Sequence, residues 1–181
     1  MFYRDIIKEL QKWATKPNRK PLVIRGARQV GKTTAIEMFA KELDQYIYLN
    51  LEKPKEREIF EKDYPFPDLL TALFVFAQKK RSGGRTLLFI DEIQNSPKEI
   101  ALLRYFYEEA GDLYVVTAGS LLESILNKKI SFPVGRVEYM ALHPCSFREF
   151  LYALDLTQLA EMLEKPEVPG FLHSQYMSWF K

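Results

Sequence analysis

The stretch GARQVGKTT, residues 26–34, decides the fold of this chain. It follows PLVIR, residues 21–25, a short apolar run with β-branched residues that predicts a buried strand. The segment after the turn, residues 32–43, is predicted to be a helix. From Gly26 to Thr33 the stretch fits the pattern Gly-x-x-x-x-Gly-Lys-Thr. A strand, a glycine-rich turn and a helix in this order predict a loop that holds phosphate groups.

The residue types of this loop suit a phosphate chain. Backbone N–H groups cradle phosphate oxygens, and glycine lets the backbone come close to them. The positive end of the helix dipole adds to the attraction. We expect Lys32 to reach the β- and γ-phosphates of a nucleotide and the Thr33 hydroxyl to ligate Mg²⁺. For Arg28 and Gln29, contact with phosphate and plain solvation both stay open. The candidate binding residues are Gly26, Ala27, Arg28, Gln29, Val30, Gly31, Lys32, Thr33 and Thr34.

Two acids, Asp91 and Glu92, end a third apolar strand, TLLFID at residues 86–91. In P-loop ATPases an Asp at this strand end holds Mg²⁺ through water. A Glu that follows it can polarise the attacking water as a general base, which separates hydrolases from many nucleotide kinases. The alternative is a pair of solvated acids that cap a strand. With the phosphate loop upstream, the pattern favours the catalytic interpretation, with Lys32 and Glu92 as catalytic residues and Asp91 as a metal ligand.

Two further polar residues follow or precede predicted strands. Ser120 comes just after the fourth strand, where a small polar side chain could help to place the water, or could cap the next helix. Arg136 comes just before the fifth strand, where an arginine could neutralise transition-state charge, in cis or from a neighbouring subunit. A surface arginine in a salt bridge is the alternative for Arg136.

Strand and helix segments alternate along the chain, and the strands are apolar on both faces. This pattern predicts a parallel sheet with helices on each side, and ligands at the carboxyl ends of its strands. The predicted strands are residues 21–25, 46–51, 86–91, 113–120 and 137–144. The predicted helices are residues 2–13, 32–43, 54–63, 67–81, 96–111, 121–127 and 146–155, the fourth of them ending at Gly83–Gly84.

Two of these helices begin with Ser-x-x-Glu, a pattern typical of a capped helix start. In the helix at residues 96–111, Ser96 would be the N-cap, with Pro97 in the first turn and Glu99 at the third position. In the last helix, Ser146 would be the N-cap and Glu149 would take that third position.

Composition excludes several classes of protein. The 26 basic and 24 acidic residues give a formal net charge of +2, which does not support nucleic-acid binding. The chain has one cysteine, Cys145, so it has no intrachain disulfide. The most apolar window, residues 69–78, is too short to span a bilayer, and no signal segment begins the chain. We therefore expect a cytoplasmic protein that does not enter membranes.

Four stretches, in this order and spacing, resemble the AAA+ domain of a large group of mostly uncharacterised prokaryotic ATPases. They are PLVIRGARQVGKTT (21–34), LLFIDEIQ (87–94), TAGSLL (117–122) and FPVGRVEYMALHPCSFREFL (132–151). The resemblance covers residues 4 to 155 and implies a three-layer P-loop NTPase fold with five parallel strands in the order 5-1-4-3-2. It implies ATP and Mg²⁺ as cofactors, Walker A at 26–33 and Walker B at 87–92. It also implies a sensor at Ser120, a finger arginine at Arg136 and a homo-oligomer formed through Arg136.

The same resemblance suggests how the chain is organised and what it does. Residues 1–155 would form the ATPase core, and residues 156–181 a linker and the start of a lid or C-terminal domain, so that the chain looks like an N-terminal fragment. The expected function is Mg²⁺-dependent ATP hydrolysis that drives or switches the attached domain. The alternatives are a nucleotide-gated module, which would bind an unknown protein through the apolar helix around residues 69–77, and a small-molecule kinase. ATP rather than GTP is implied by the resemblance, and no guanine-reading NKxD motif occurs.

Overall fold

The computed structural model describes residues 4–95, 97–119, 132–163 and 170. Five strands form one sheet in which every neighbouring pair is parallel. Their order, β2-β3-β4-β1-β5, confirms the order 5-1-4-3-2 that was expected. The strands are β1 (Leu22–Arg25), β2 (Gln45–Asn50), β3 (Thr86–Asp91), β4 (Tyr114–Gly119) and β5 (Glu138–Ala141).

Helices cover both faces of this sheet. They are α1 (Ile6–Ala14), α2 (Lys32–Ala40), α3 (Pro54–Glu61), α4 (Phe66–Phe76) and α5 (Pro97–Glu109). One apolar core lies between the sheet and α1 and α2, around Trp13 and Phe39. The other lies between the sheet and α3, α4 and α5, around Phe60 and Phe106. This three-layer α/β arrangement is the P-loop NTPase-like fold that the sequence predicts.

The parallel register brings the carboxyl ends of the strands to one edge. Asn50 of β2 lies opposite Asp91 of β3, and Arg25 of β1 lies opposite Gly119 of β4. All six residues of β3 are buried, because this strand has neighbours on both sides and helices above and below it. The phosphate loop and the two acids therefore follow strands at the same edge of the sheet.

The predicted end of α4 is wrong. The sequence places it at Gly83–Gly84, but the helix ends at Phe76. Gln78 adopts a left-handed conformation, with φ 53°, and the N–H of Lys79 donates to the carbonyl of Phe74. This is the bonding pattern of a Schellman cap, with Gln78 where glycine is usual. The glycine pair marked a later turn rather than the helix end.

Two other elements are shorter than the sequence predicts. α2 ends at Ala40 rather than Leu43, and turns follow it. β5 has four residues instead of eight. Leu142 still donates its N–H to the carbonyl of Arg25, but Pro144, which has no N–H to donate, follows soon after. The predicted helix at residues 121–127 lies outside the described residues.

The chain forms two compact units. The larger one, residues 6–144, contains the sheet and α1 to α5. The smaller one joins residues 4–5 to the segment from Cys145 onward, where α6 (Phe147–Ala153) packs on α7 (Thr157–Met162). No helix in the described ranges is long and apolar enough to cross a membrane. The predicted domain boundary at residue 155 stays a prediction.

The smaller unit confirms one predicted helix cap. The Ser146 hydroxyl accepts the N–H of Glu149, and the Glu149 carboxylate accepts the N–H of Ser146, which completes the capping box. The same carboxylate accepts the N–H of Asp5 at 2.8 Å and pairs with the Arg4 guanidinium at 3.1 Å. These donors hold the pKa of Glu149 below its usual range although burial opposes them.

Candidate functional site

The phosphate loop connects the end of β1 to the start of α2. Gln29 and Gly31 have positive φ angles of 63° and 90°. Gly31 is the residue before the first turn of α2, and no side chain caps that turn. The N–H groups of a first helical turn have no partner within the helix. They are therefore available to an anion, as the loop sequence predicts.

Gly26 is the point at which the loop meets the chain leaving β5. A Cβ atom on Gly26 would lie 2.4 Å from the carbonyl oxygen of Leu142 and 3.2 Å from a methyl group of Val30. The first of these distances is far below van der Waals contact with a backbone atom. The position thus requires glycine because of close packing.

Lys32 is buried and held over the loop. Its Nζ donates to the carbonyl oxygens of Gly26 at 3.0 Å and Ala27 at 2.8 Å. An ammonium group has three N–H donors, so one remains for a ligand. Burial lowers the pKa of Lys32, and the carboxylates of Glu92 and Asp91 partly oppose that shift.

Asp91 joins the acidic end of β3 to the loop. Its Oδ2 accepts the hydroxyl of Thr33 at 3.0 Å, and its Oδ1 accepts the N–H of Glu92 at 2.9 Å. Burial raises the pKa of Asp91, and these hydrogen bonds oppose the rise. A carboxylate next to a hydroxyl is a pair of hard oxygen ligands, which suits Mg²⁺. The two predicted metal ligands therefore lie together.

Glu92 follows in a left-handed conformation, with φ 55°. This is an uncommon backbone conformation for a residue other than glycine. The amide nitrogen of Gln94 donates to Oε2 of Glu92. Gln94 belongs to a single 3₁₀ turn, Ile93–Asn95.

A cavity of about 530 Å³ opens between the loop and the acids. This volume is typical of small-molecule sites. Glu52, which was not predicted, lines this cavity. So do eight predicted site residues: Arg28, Gln29, Gly31, Lys32, Thr33, Thr34, Asp91 and Glu92. Of the other three loop residues, Gly26 and Ala27 accept the Lys32 ammonium, and Val30 packs against the α1–α2 core.

Three residues of the site were missed by the sequence analysis. Glu52 lies just after β2, and the Tyr48 hydroxyl lies 3.4 Å from Oδ2 of Asp91. Burial raises the pKa of Tyr48 to about 12. Only the pairing of β2 with β3 brings Tyr48 and Glu52 to the acids, so the linear sequence carried no signal for them. Gln94, two residues after Glu92, could have been noticed from its spacing.

Arg136 does not reach this cavity. It precedes β5, whose first residue, Glu138, lies opposite Leu22, whereas the phosphate loop follows the last residue of β1. Arg136 is therefore at the amino edge of the sheet, on the order of 15 Å below the loop at the usual rise per residue. Its guanidinium pairs with Glu108 at 2.9 Å, a carboxylate that also pairs with Arg104. Ser120 lies outside the described residues.

Three comparisons with known proteins bear on this site. A family model described as an AAA domain matches residues 18–151. The Walker-type ATPase PABY2304 of Pyrococcus abyssi has a similar structure, with a TM-score of 0.55 over 86% of this chain at 17% sequence identity. This chain spans 57% of that neighbour's length, and the likeness shows the fold. No curated protein matches the sequence. Because the family model covers well over half of the residues and includes the whole loop and both acids, the chain belongs to the AAA domain family.

Proposed function

We propose that this domain binds ATP with Mg²⁺ and hydrolyses it to ADP and phosphate. One observation carries the proposal: the hydrogen bond between Thr33 and Asp91 joins the phosphate loop to the acidic pair at the edge of one cavity. A loop alone would support binding only. A loop with a metal-ligand pair and a second carboxylate supports hydrolysis as well.

The loop side of the cavity would hold the phosphates. The open N–H groups at the start of α2 and the free N–H of Lys32 would bind phosphate oxygens. Thr33 and Asp91 would hold Mg²⁺, which when bound neutralises charge on the β- and γ-phosphate oxygens. In the described part of the chain no three His, Cys, Asp or Glu side chains could hold a metal ion by themselves. We therefore expect water and phosphate to supply the remaining ligands, as is usual for Mg²⁺.

Glu92 would act as the general base. Gln94 occupies its Oε2, so its Oε1 is the oxygen that would accept a proton from the attacking water. The water oxygen would form a bond to the γ-phosphorus while the bond to the ADP oxygen breaks. Lys32 would stabilise the charge that develops on the phosphate oxygens.

Arg136 would act on a second copy of the chain, because it lies at the edge of the sheet opposite its own loop. Its exposed ion pair with Glu108 would have to open first, and an exposed ion pair is weak enough to open. We propose a homo-oligomer in which each Arg136 completes a neighbour's site, with Ser120 as a sensor of the γ-phosphate. The energy of hydrolysis would drive or switch a domain attached to this one, as the resemblance implies.

One observation favours a second candidate, a nucleotide-gated interaction module with little hydrolysis. The last two residues of α4 are apolar and exposed: Val75 is 70% exposed and Phe76 46%. They could contact an unknown protein partner. ATP binding without phosphate release, together with a partner that dissociates when ADP replaces ATP, would favour this candidate.

The test is Mg²⁺-dependent phosphate release from ATP over a range of protein concentrations. We expect Glu92→Gln to bind ATP normally and to lose about a hundredfold or more of the rate. We expect Lys32→Ala to lose ATP binding. Glu58→Gln is the matched control, because Glu58 lies on the exposed surface of α3. A rate per molecule that rises with concentration would support the role of Arg136, and a Glu92→Gln variant as fast as wild type would contradict the proposal.

A further inference from the structure

A hydrogen bond from another side chain orients the carboxylate of Glu92. Gln94 donates its amide N–H to Oε2 of Glu92 from the 3₁₀ turn directly after β3. Ile93 lies between them in sequence and is fully buried, so the turn is anchored in the core beneath the sheet. The donor is therefore carried by a fixed piece of backbone.

This arrangement costs stability in two places. Glu92 is held at φ 55°, a conformation that L side chains rarely adopt. The carbonyl oxygen Oε1 of Gln94 is buried and has no hydrogen-bond partner in the ranges that the structure describes. A buried polar atom without a partner is unfavourable, because it gives up its hydrogen bonds to water. Backbone strain and unsatisfied buried groups tend to occur together at functional sites.

The orientation of the amide follows from charge. A carboxylate accepts hydrogen bonds, so only the NH₂ end of Gln94 can face an ionised Glu92. If the amide were turned around, its carbonyl oxygen would face a carboxylate oxygen, and the two acceptors would repel each other. The pairing thus occupies one carboxylate oxygen of Glu92, a residue that lines the cavity, and leaves the other oxygen to accept a further hydrogen bond.

The other donors near the acids serve Asp91. Thr33 and Tyr48 both direct their hydroxyl groups at Oδ2 of Asp91. Among the described residues, Gln94 is the one whose side chain donates a hydrogen bond to the Glu92 carboxylate. The two neighbouring carboxylates are therefore held by separate sets of groups.

We propose that Gln94 is a positioning residue for ATP hydrolysis: it fixes the Glu92 carboxylate so that the free oxygen faces the attacking water. This inference rests on the proposed function. Gln94 does not line the cavity and acts through Glu92. Its loss should therefore slow the chemical step without weakening ATP binding.

The experiment measures single-turnover hydrolysis and ATP affinity for Gln94→Met, which keeps the length of the side chain and removes the donor. We expect the rate constant to fall by ten- to a hundredfold at an unchanged Kd for ATP, because a misplaced base loses its alignment. Gln94→Asn keeps the amide but is one methylene too short, and it should lose as much. Gln11→Met is the matched control: Gln11 also donates to a glutamate, Glu42, but on the exposed surface of α1.

A double-mutant cycle separates positioning from general damage. In a Glu92→Gln background, Gln94→Met should cause no further loss of rate, because the group through which it acts is already gone. A wild-type rate for Gln94→Met, an equal loss in both backgrounds, or a weaker ATP affinity that accounts for the whole loss would each overturn the inference. If wild type releases no phosphate, or Glu92→Gln is as fast as wild type, the proposed function itself fails and this inference falls with it.

Discussion

The two sides of the cavity are built in different ways. The loop side consists of consecutive residues, 26–34, and the groups it offers to a ligand are the N–H groups at the start of α2 and the Lys32 ammonium. The acid side takes Asp91 from the end of β3, Tyr48 from β2 and Gln94 from a 3₁₀ turn. The loop side depends on local conformation, whereas the acid side depends on which strands are neighbours.

This difference predicts how each side responds to substitution. The loop requires space and backbone conformation, so a single added methyl group should be damaging. The acid side requires donors for its carboxylates, so Asp91, which has two hydroxyl donors, should tolerate the loss of one of them better. The predictions below test this contrast, beginning with the largest expected effect.

The first prediction concerns Gly26→Ala. The new Cβ would lie 2.4 Å from the carbonyl oxygen of Leu142, which is a backbone atom and cannot rotate away. Either the loop or the exit of β5 must move, and both shifts displace the carbonyl groups that hold Lys32. We expect ATP affinity to fall about a hundredfold, close to 3 kcal/mol. Isothermal titration calorimetry with ATP and Mg²⁺ measures this change in affinity.

Gly111→Ala is the matched control. A Cβ there meets its nearest atom, the carbonyl oxygen of Tyr107, at 3.8 Å, which is ordinary contact. We expect no change in ATP affinity and a change of less than about 0.5 kcal/mol in stability. Equal effects of the two substitutions would show that close packing at Gly26 is not what the loop requires.

The sequence predicted the loop side almost completely, because that side depends on local conformation. The conformation at Gly31 and the start of α2 depend on residues next to them in the sequence. The strand before the loop and the alternation of strands and helices can also be predicted from short stretches of sequence. Asp91 and Glu92 were found because they end an apolar strand. Tyr48 was missed because its hydroxyl meets Asp91 only when β2 lies beside β3. The described structure also separates Arg136 from its own loop, which the sequence left open.

The helix starts show the same limit. The pattern Ser-x-x-Glu predicted a capping glutamate in two helices, and Glu149 confirms it with a complete capping box. Glu99 is fully buried in α5, and its carboxylate oxygens have no hydrogen-bond partner among the described residues. Ser96 lies outside those residues, so the cap predicted there stays a prediction. The local pattern is the same in both helices, but it does not predict how deeply the glutamate is buried.

The second prediction concerns Glu99, a buried carboxylate to which no described side chain donates a hydrogen bond. Burial raises the pKa of Glu99 to about 7. Its own backbone N–H, Lys98 and Arg57 oppose this rise, and the charge of Glu61 adds to it. The folded state therefore holds a proton that the unfolded state releases near pH 4.5. This contribution to stability is fully present below pH 4.5 and is lost as the pH rises through 7. We expect Glu99→Gln to be more stable than wild type by about 3 kcal/mol at pH 8.

Urea unfolding at several pH values measures this difference. The advantage of Glu99→Gln should grow between pH 5 and 7 and level off above. Glu58→Gln makes the same chemical change on the exposed surface of α3 and should shift stability by less than about 0.5 kcal/mol at every pH. An advantage of Glu99→Gln that is constant with pH would mean that Glu99 does not titrate in this range.

The last prediction addresses the donors of Asp91. Tyr48→Phe removes one of two hydroxyl groups that face Oδ2 and leaves the Thr33 hydrogen bond in place. The hydroxyl lies 3.4 Å from Oδ2, which is long for a hydrogen bond, so its contribution should be below the usual range for a charged acceptor, at about 1 kcal/mol. We expect the Mg²⁺ concentration for half-maximal ATP binding to change by about fivefold or less, with the loop side unaffected. The direction of the change shows which effect dominates. A rise in the Mg²⁺ concentration means that Tyr48 orients Asp91 for the cation, and a fall means that Tyr48 competes with the cation for the oxygen.

Tyr46→Phe is the control, because the Tyr46 hydroxyl is buried with no hydrogen-bond partner among the described residues and should not influence Mg²⁺. An effect of Tyr46→Phe as large as that of Tyr48→Phe would assign the change to packing in β2, and the acid side would then depend on shape as much as the loop side does.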